Sequence, residues 1–571
     1  MKKQTILLLV FLFAITMKAQ VKKSNFSAID LSQFSKEEAQ ITTNTNLVLV
    51  GEYLYYKISV LNNGKLSAIS KIGYVELVDA RNKTILKHTL NLKNSVASNR
   101  IFIPTEIKTG HYKLLGYTNW TKNNTKKSYY TKDIYVINAF SNSIQKIHNI
   151  DKIVKIVKTE TIKTDELNSN ISVASAQQTY SNRALVKINV NTNKIFKNGN
   201  YSLSINKLDS IAIDNTSETK FASSKASNTL YIPEMRGQLI AGKISNLTDT
   251  LDIKNKNIAL SITGKNYVFK IAETNTSGLF FFNLKDKIDS NIATFQVIED
   301  NNEDFKISIL ENTNNNFEAL SFNTLDIDSN LKYSIEQRNI KNQVQNAYYQ
   351  NKKDSILYQD YAQEFYKTKE KVYLLDDYTR FKTVRETFIE IINEAGIRKD
   401  GDNYRIIVYD RYDEKKSQAI RNIDPLVVVD GMIVQNNNDL VNYNSEKIKS
   451  ISIVVGQYLY GSKLYQGVIN VSTFTKDFKT SLSGDFILET TLNLPEDETI
   501  YYQPEYINPL DNKHIPDYRR QLLWLPNVKL TETNNTFKTY TSDDKGTYKI
   551  TLEGYSKNGE HTISTGYFTV K

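Results

Sequence analysis

The side chains that most often carry chemistry are scarce in this chain of 571 residues. Cysteine is absent, which excludes disulfide bonds, thiolate metal sites and a thiol nucleophile. Histidine occurs five times, but no two positions have the spacing of metal ligands: His88, His111, His148, His514 and His561. The sequence therefore predicts no cofactor, no metal ion and no histidine-dependent catalysis.

Paired carboxylates are the remaining candidates for acid–base work. Asp376 and Asp377 are adjacent, as are Asp543 and Asp544, and neighbouring side chains of an extended chain point to opposite faces. The sequence also has no nucleophile elbow, phosphate-binding loop or dinucleotide-binding glycine pattern. We expect a non-enzymatic protein. An exported hydrolase acting on glycans or peptides is the alternative, favoured only by the 36 tyrosines, which could line a sugar-binding groove.

The start of the chain has the pattern of a secretory signal peptide over residues 1–19. Lys2 and Lys3 precede a short apolar run, and Ala19 is a small residue before the expected cleavage point. No apolar segment of membrane-spanning length follows. The formal net charge of +11 is spread along the chain without a basic cluster, so a nucleic-acid partner is not expected. The prediction is export to the periplasm and association with the outer membrane, with the cell surface as an alternative.

Residues 46–140 alternate apolar and polar side chains with the period of β-strands. In one such strand Leu54, Tyr56, Ile58 and Val60 share a face, and several short strands at this spacing predict a two-sheet sandwich. This stretch, with Gly51-Glu52 at its start, Gly110–Trp120 and a closing Asp133–Asn138, resembles the second macroglobulin (MG2-like) domain of exported bacterial proteins. Macroglobulin traps use a Cys–Gln thioester, so the resemblance implies the scaffold without the covalent trap.

The next modules are predicted from composition and turn residues. Residues 141–183 are polar and indicate a linker, and 184–233 indicate a small β-sandwich. Residues 234–330 open with Arg236–Ile244 and contain Ser277-Gly278 before an aromatic strand, a pattern that resembles the carboxypeptidase-regulatory-like domain, itself a β-sandwich without peptidase chemistry. Gly278 is expected to have positive φ in that turn. Residues 331–371 lack glycine and proline and predict a helical connector, and Thr383–Glu386 has the spacing of a capping box.

Residues 372–475 carry the most specific pattern. Four motifs occur in succession: Pro425–Gly431, Ile448–Val455, Tyr460-Gly461-Ser462 and Gly467–Thr473. This succession resembles the plug domain of TonB-dependent outer-membrane receptors. A receptor of that kind continues into a barrel of about 22 strands, for which the 98 residues after Thr473 (571 − 473) have no room. The candidate partner-binding residues are Asp430, Gly431, Tyr460 and Gly461, with a purely structural role in turns as the alternative.

Residues 476–571 predict a further β-sandwich with hairpin turns at Asp544–Gly546 and Asn558-Gly559. A C-terminal sorting domain is the weaker alternative for the same strands.

The predicted fold class is therefore mainly β and multidomain, with tandem immunoglobulin- or macroglobulin-like sandwiches and a small α+β plug-like domain. The combination is similar to exported multidomain proteins of the Bacteroidota kind. It implies a periplasmic scaffold or binding protein that docks on, or plugs, a separate outer-membrane barrel or envelope protein complex. A cell-surface adhesion protein is a further alternative.

Overall fold

We describe the fold from a computed structural model, which covers residues 35–141, 143–145, 150–158, 171–208, 210–213, 220–225, 230–247, 251–285, 287–310, 317–357, 365–366, 370–409, 423–507 and 514–571. The predicted signal peptide lies outside these residues. The chain divides into two compact units, Met1–Lys36 and Glu37–Lys571, and all elements below belong to the second. The predicted fold class is confirmed, since that unit is built mainly of β-sheets.

The strands of the described residues are numbered in chain order. The first group is Glu38–Thr43 (β1), Leu47–Leu49 (β2), Tyr53–Asn62 (β3), Lys65–Leu66 (β4), Ile72–Val78 (β5), Thr84–Asn91 (β6), Val96–Phe102 (β7), Gly110–Tyr117 (β8), Tyr129–Ile137 (β9), Ile150–Lys158 (β10), Ile171–Ser175 (β11) and Thr179–Tyr180 (β12). The second is Leu185–Thr192 (β13), Asn200–Lys207 (β14), Ile211–Ile213 (β15), Lys220–Ala222 (β16), Gln238–Asn246 (β17), Asn257–Ile262 (β18), Val268–Glu273 (β19), Leu279–Leu284 (β20), Ile292–Val297 (β21), Phe305–Ile309 (β22), Phe322–Ile327 (β23) and Ser355–Ile356 (β24). The third is Lys371–Leu374 (β25), Ala395–Asp400 (β26), Asn403–Val408 (β27), Leu426–Val429 (β28), Met432–Ile433 (β29), Ile448–Tyr460 (β30), Lys463–Thr473 (β31), Ile487–Thr491 (β32), Thr499–Ile500 (β33), Gln521–Val528 (β34), Asn534–Tyr540 (β35), Gly546–Tyr555 (β36) and His561–Val570 (β37). The described α-helices are Lys332–Ala347 (α1), Val384–Glu390 (α2) and Asn437–Val441 (α3).

The first sandwich is made of β1 to β9. One sheet contains β1, β3, β4 and β7, and the other has the order β16-β9-β8-β5-β6 with β2 beside β9. The predicted alternation is present in β3, where Leu54, Tyr56, Ile58 and Val60 are fully buried in the core between the sheets. The strand β16 comes from residues 220–222, which the sequence assigned to the next module.

The terminal sandwich corrects two predicted boundaries. Its sheets are β11-β13-β35 and β12-β37-β36-β14-β34, so strands from 171–207 and from 521–570 alternate in space. Leu203 on β14 and Ile550 on β36 are fully buried in one shared core. The predicted modules 184–233 and 476–571 are therefore two halves of one domain, because neither half has enough strands to bury its own apolar face. The predicted linker 141–183 likewise contains β10, β11 and β12.

The middle sandwich is built from β17 to β22 and one strand from much later in the chain. Its sheets are β20-β17-β22 and β19-β18-β21-β32, so β32 joins it after the chain has left the plug-like module. Phe280, Phe295 and Phe305 fill its core. Gly278 has φ +73°, as predicted for the turn before β20.

The module that the sequence predicts to be plug-like spans residues 371–473 and keeps the name plug-like module below. It contains a five-stranded sheet of order β25-β30-β31-β28-β29 with helices on one face. The predicted capping box is present: the Thr383 side chain accepts from the backbone N–H of Glu386, and the Glu386 side chain accepts from that of Thr383. Phe388 and Ile392 pack on the sheet as the predicted helical face. The opposite face of the sheet is turned towards the middle sandwich.

A small sheet and a helix connect these modules. The sheet has the order β15-β10-β23, and its buried residues share a core with Leu49 and Ile137 at the edge of the first sandwich. Helix α1 follows within the predicted helical connector. No helix among the described residues is long and apolar enough to cross a membrane.

Candidate functional site

The predicted partner-binding residues lie at an interface inside the chain. Asp430 is buried in the turn between β28 and β29, where its carboxylate accepts from the Thr473 backbone N–H at 2.8 Å and from the Thr473 hydroxyl at 2.5 Å. Lys476 Nζ is 3.1 Å from the same carboxylate. Gly431 has φ +89°, and a Cβ at this position would lie 2.6 Å from Tyr267 of the middle sandwich. Asp430 therefore ties the turn to the end of β31, and Gly431 lets the turn lie against that sandwich.

Tyr460 and Gly461 sit at the end of the β30–β31 hairpin. The Tyr460 ring is stacked on Phe269 with centroids 5.4 Å apart, and its hydroxyl donates to the Phe269 carbonyl at 2.8 Å. A Cβ on Gly461 would lie 2.8 Å from Ile271. The structure thus places Gly431, Tyr460 and Gly461 in contacts between the plug-like module and the middle sandwich. The contacts of Asp430 are instead with Thr473 and Lys476. The sequence did not show the contacts with the middle sandwich, because the two modules meet through residues that are remote from each other in the chain.

A polar cavity at the meeting point of three elements is the better candidate site. We call it the junction cavity. Its volume is about 150 Å³, and a second cavity of about 310 Å³ shares Asn206, Arg338 and Arg520 with it. The walls come from the first sandwich, from helix α1 with the segment after it, and from the terminal sandwich. Its lining carries six basic residues, Arg100, Arg338, Lys341, Lys352, Arg519 and Arg520, against three acidic ones, Glu52, Asp354 and Asp544.

Helix α1 provides one whole wall. Arg338, Lys341, Asn342, Gln345 and Asn346 line the cavity and recur at intervals of three or four residues, which places them on one helical face. That face is polar and contacts the sandwiches through hydrogen bonds and ion pairs, whereas Ile335 elsewhere on α1 packs on the apolar core that contains Leu47 and Leu49. The spacing was present in the predicted connector 331–371, but the sequence does not reveal which domains it meets.

The firmest of these contacts joins α1 to the first sandwich. Arg338 donates to both carboxylate oxygens of Glu52, at 2.7 and 2.6 Å, and both side chains are buried. Glu52 also accepts from the Leu49 backbone N–H at 2.9 Å. Gly51 beside it has φ +83°, and a Cβ there would lie 2.9 Å from Asn342. A bidentate pair of this kind fixes the orientation of both partners.

A second contact lies at the rim of the cavity. The Arg100 guanidinium is 3.9 Å from the centroid of the Tyr53 ring and forms an ion pair with Asp354. Burial raises the pKa of Tyr53 and that of Tyr55, which lies deeper in the cavity wall. Both hydroxyls therefore stay protonated at neutral pH and can serve as hydrogen-bond donors.

Two charged groups face the cavity with hydrogen-bonding capacity to spare. Lys352 is buried and donates to the Gln345 side-chain oxygen at 2.8 Å and to the Pro516 carbonyl at 2.6 Å, both neutral acceptors. Burial lowers its pKa. Asp544 accepts from Lys341 at 2.6 Å and Lys207 at 2.7 Å on one oxygen, while its buried Oδ2 has no hydrogen-bond partner.

The charged side chains of the cavity form a network of ion pairs. Each of the three carboxylates in the lining is paired with a lysine or an arginine. No group of three or more metal-ligating side chains occurs within the residues that the structure describes. In the sequence, Glu52 stands out only within the MG2-like motif, and Asp544 only as a member of an adjacent carboxylate pair and of a turn. Nothing in the local pattern indicated that the two line one cavity.

The plug-like sheet also has a surface that the middle sandwich leaves uncovered. On the face turned towards that sandwich, Leu426, Val428 and Val468 are buried against it. At the other end of the same face, Val372 and Leu374 on β25 are each 47 % exposed. Within the described residues β25 pairs with β30 alone, so it is an edge strand.

Comparisons with known proteins leave the family open. No family model and no curated protein matches the chain. Among solved structures, α2-macroglobulin from Salmonella reacted with methylamine is 8% identical with a TM-score of 0.22, and trypsin-activated α2-macroglobulin from Escherichia coli is 8% identical with a TM-score of 0.23. Each alignment covers 94% of this chain and about two fifths of the macroglobulin, 39% and 41% respectively. A tetra-tandem repeat from the extending region of a large adhesion protein aligns at 6% identity over 94% of this chain and 100% of the repeat, with a TM-score of 0.13. Scores this low carry no argument about function.

Proposed function

We propose that the chain is a non-enzymatic scaffold or binding protein of the bacterial envelope, exported to the periplasm and associated with the outer membrane. In this proposal the plug-like module docks on a separate outer-membrane barrel or envelope complex. The observation that carries the proposal is the uncovered end of the plug-like sheet, where an edge strand presents Val372 and Leu374 to solvent. An edge strand with apolar side chains can add to a partner sheet.

The rest of the chain supports a scaffold role. The terminal sandwich combines strands that precede the middle sandwich in the sequence with strands that follow the plug-like module. Strand β32 comes after the plug-like module in the sequence and joins a sheet of the middle sandwich. This interleaving, together with the Arg338–Glu52 pair, opposes independent movement of the modules. A partner bound at β25 would therefore be held in a defined orientation relative to the first sandwich.

The test is an affinity pull-down of the tagged full chain from detergent-solubilised envelopes, read by mass spectrometry. We expect an outer-membrane barrel or envelope complex in stoichiometric amount. The double variant Val372→Glu, Leu374→Glu should reduce its recovery at least about tenfold, since apolar anchors dominate such interfaces. A control variant, Ile292→Glu with Ile563→Glu, changes two comparably exposed apolar residues elsewhere and should leave recovery unchanged. Recovery of the protein alone would refute docking, and equal recovery with both variants would refute the assignment to β25.

A further inference from the structure

We propose that the junction cavity binds a carboxylated sugar, of the hexuronate class, as a free monosaccharide or as the end of an acidic polysaccharide. This site is independent of β25 and of the proposed docking role. The two adjoining cavities, of about 150 and 310 Å³, share part of their walls. Together they reach the lower end of the volume range of protein ligand pockets.

Lys352 is the group that would receive the carboxylate. Its two observed acceptors are neutral, so the ammonium has a third N–H. The described residues place no carboxylate within 4.0 Å of it, and Asp517 and Asp543 act on its charge only from a longer distance. A buried cation in this state favours an anion beside it.

Asp544 makes a bare inorganic anion a poor occupant. Its unpartnered Oδ2 is an acceptor and carries negative charge, so a ligand must bring a donor to it. A sugar hydroxyl is such a donor. The amide of Asn342 and the rings of Tyr53 and Tyr349 in the same lining offer further polar contacts and aromatic faces for a sugar ring. Acid at one end and hydroxyls at the other are the chemistry of a hexuronate.

Binding can be measured by isothermal titration calorimetry on the full chain with galacturonate, galactose and sulfate as probes. We expect galacturonate to bind at least about tenfold more tightly than either of the others, because a hydrogen bond to a charged group is lost with galactose, and sulfate at neutral pH has no hydroxyl to donate to Asp544. Equal affinity for galactose or for sulfate would overturn the proposal, as would no binding of galacturonate. Trigalacturonate distinguishes the two sources: tighter binding than the monomer identifies a polysaccharide end, and equal binding a free sugar.

Lys352→Gln tests the assigned residue. Lys353→Gln is the matched control, because Lys353 is the next residue in the chain, carries the same charge and is exposed. The first variant should weaken galacturonate binding at least about tenfold and the second should not change it. Should Lys352→Gln not fold, Gln345→Glu keeps the lysine but places a carboxylate at its 2.8 Å acceptor position, and should weaken binding similarly. Full binding by the folded variant would overturn the role of Lys352.

Discussion

The buried pair between Arg338 and Glu52 leads to a sharp prediction about what locks helix α1 to the first sandwich. Arg338→Met removes two charge-assisted hydrogen bonds of 2.7 and 2.6 Å and leaves the Glu52 carboxylate buried without its counter-ion. Breaking a buried pair in this way costs about 3–5 kcal/mol. The Leu49 backbone N–H still donates to Glu52, so we expect the lower end of that range, about 3 kcal/mol.

Hydrogen exchange of the α1 amides measures this cost locally, which avoids assuming that a chain of several modules unfolds in one step. A loss of about 3 kcal/mol corresponds to exchange that is roughly a hundredfold faster over residues 332–347. Glu52→Gln completes a double-mutant cycle. The sum of the stability losses of the two single variants should exceed the loss in the double variant, which gives a coupling energy of at least about 2 kcal/mol.

The exposed pair Lys127–Glu38 in the same sandwich is the matched control. Its nitrogen–oxygen distance of 2.9 Å is similar, but its side chains are 49% and 37% exposed, against 7% and 10% for Arg338 and Glu52. Measured on β1, its coupling energy should be at most about 1 kcal/mol. Equal coupling energies for the two pairs would refute the argument that burial makes the Arg338–Glu52 contact decisive.

Two further predictions concern buried positions elsewhere. Burial raises the pKa of Glu234 to about 7, so the free energy of unfolding of the wild type should fall as the pH rises from about 4.5 to 7. Glu234→Gln lacks this titration. Between pH 5 and pH 8 its free energy of unfolding, measured in urea, should therefore rise relative to that of the wild type by up to about 3 kcal/mol. The exposed Glu106→Gln should show no such gain, and a gain of the same size there would contradict the assignment. Gly431→Ala should cost about 1–3 kcal/mol more than Gly401→Ala by the same assay, since both glycines have positive φ but only the first would press a Cβ against Tyr267. Equal costs would mean that the backbone conformation alone matters.

Local sequence pattern was a good guide wherever neighbours in the chain are also neighbours in space. The alternation in β3, the capping box at Thr383 and the positive φ of Gly278 follow from interactions spanning a few residues, and all three are confirmed. The same pattern could not place domain boundaries. A strand reveals that one face is buried but not which strand lies beside it.

The sequence by itself determined that the chain is mainly β, that it lacks cysteine chemistry and where many strands and turns lie. Tertiary structure alone decided that β14 and β36 share a core, and that Gly431 and Gly461 face the middle sandwich. It also brought Glu52, Lys352 and Asp544 to one cavity across almost 500 residues of chain. The physical reason is that burial and ion pairing depend on distance in space, and in an interleaved β protein that distance is set by strand pairing between remote segments.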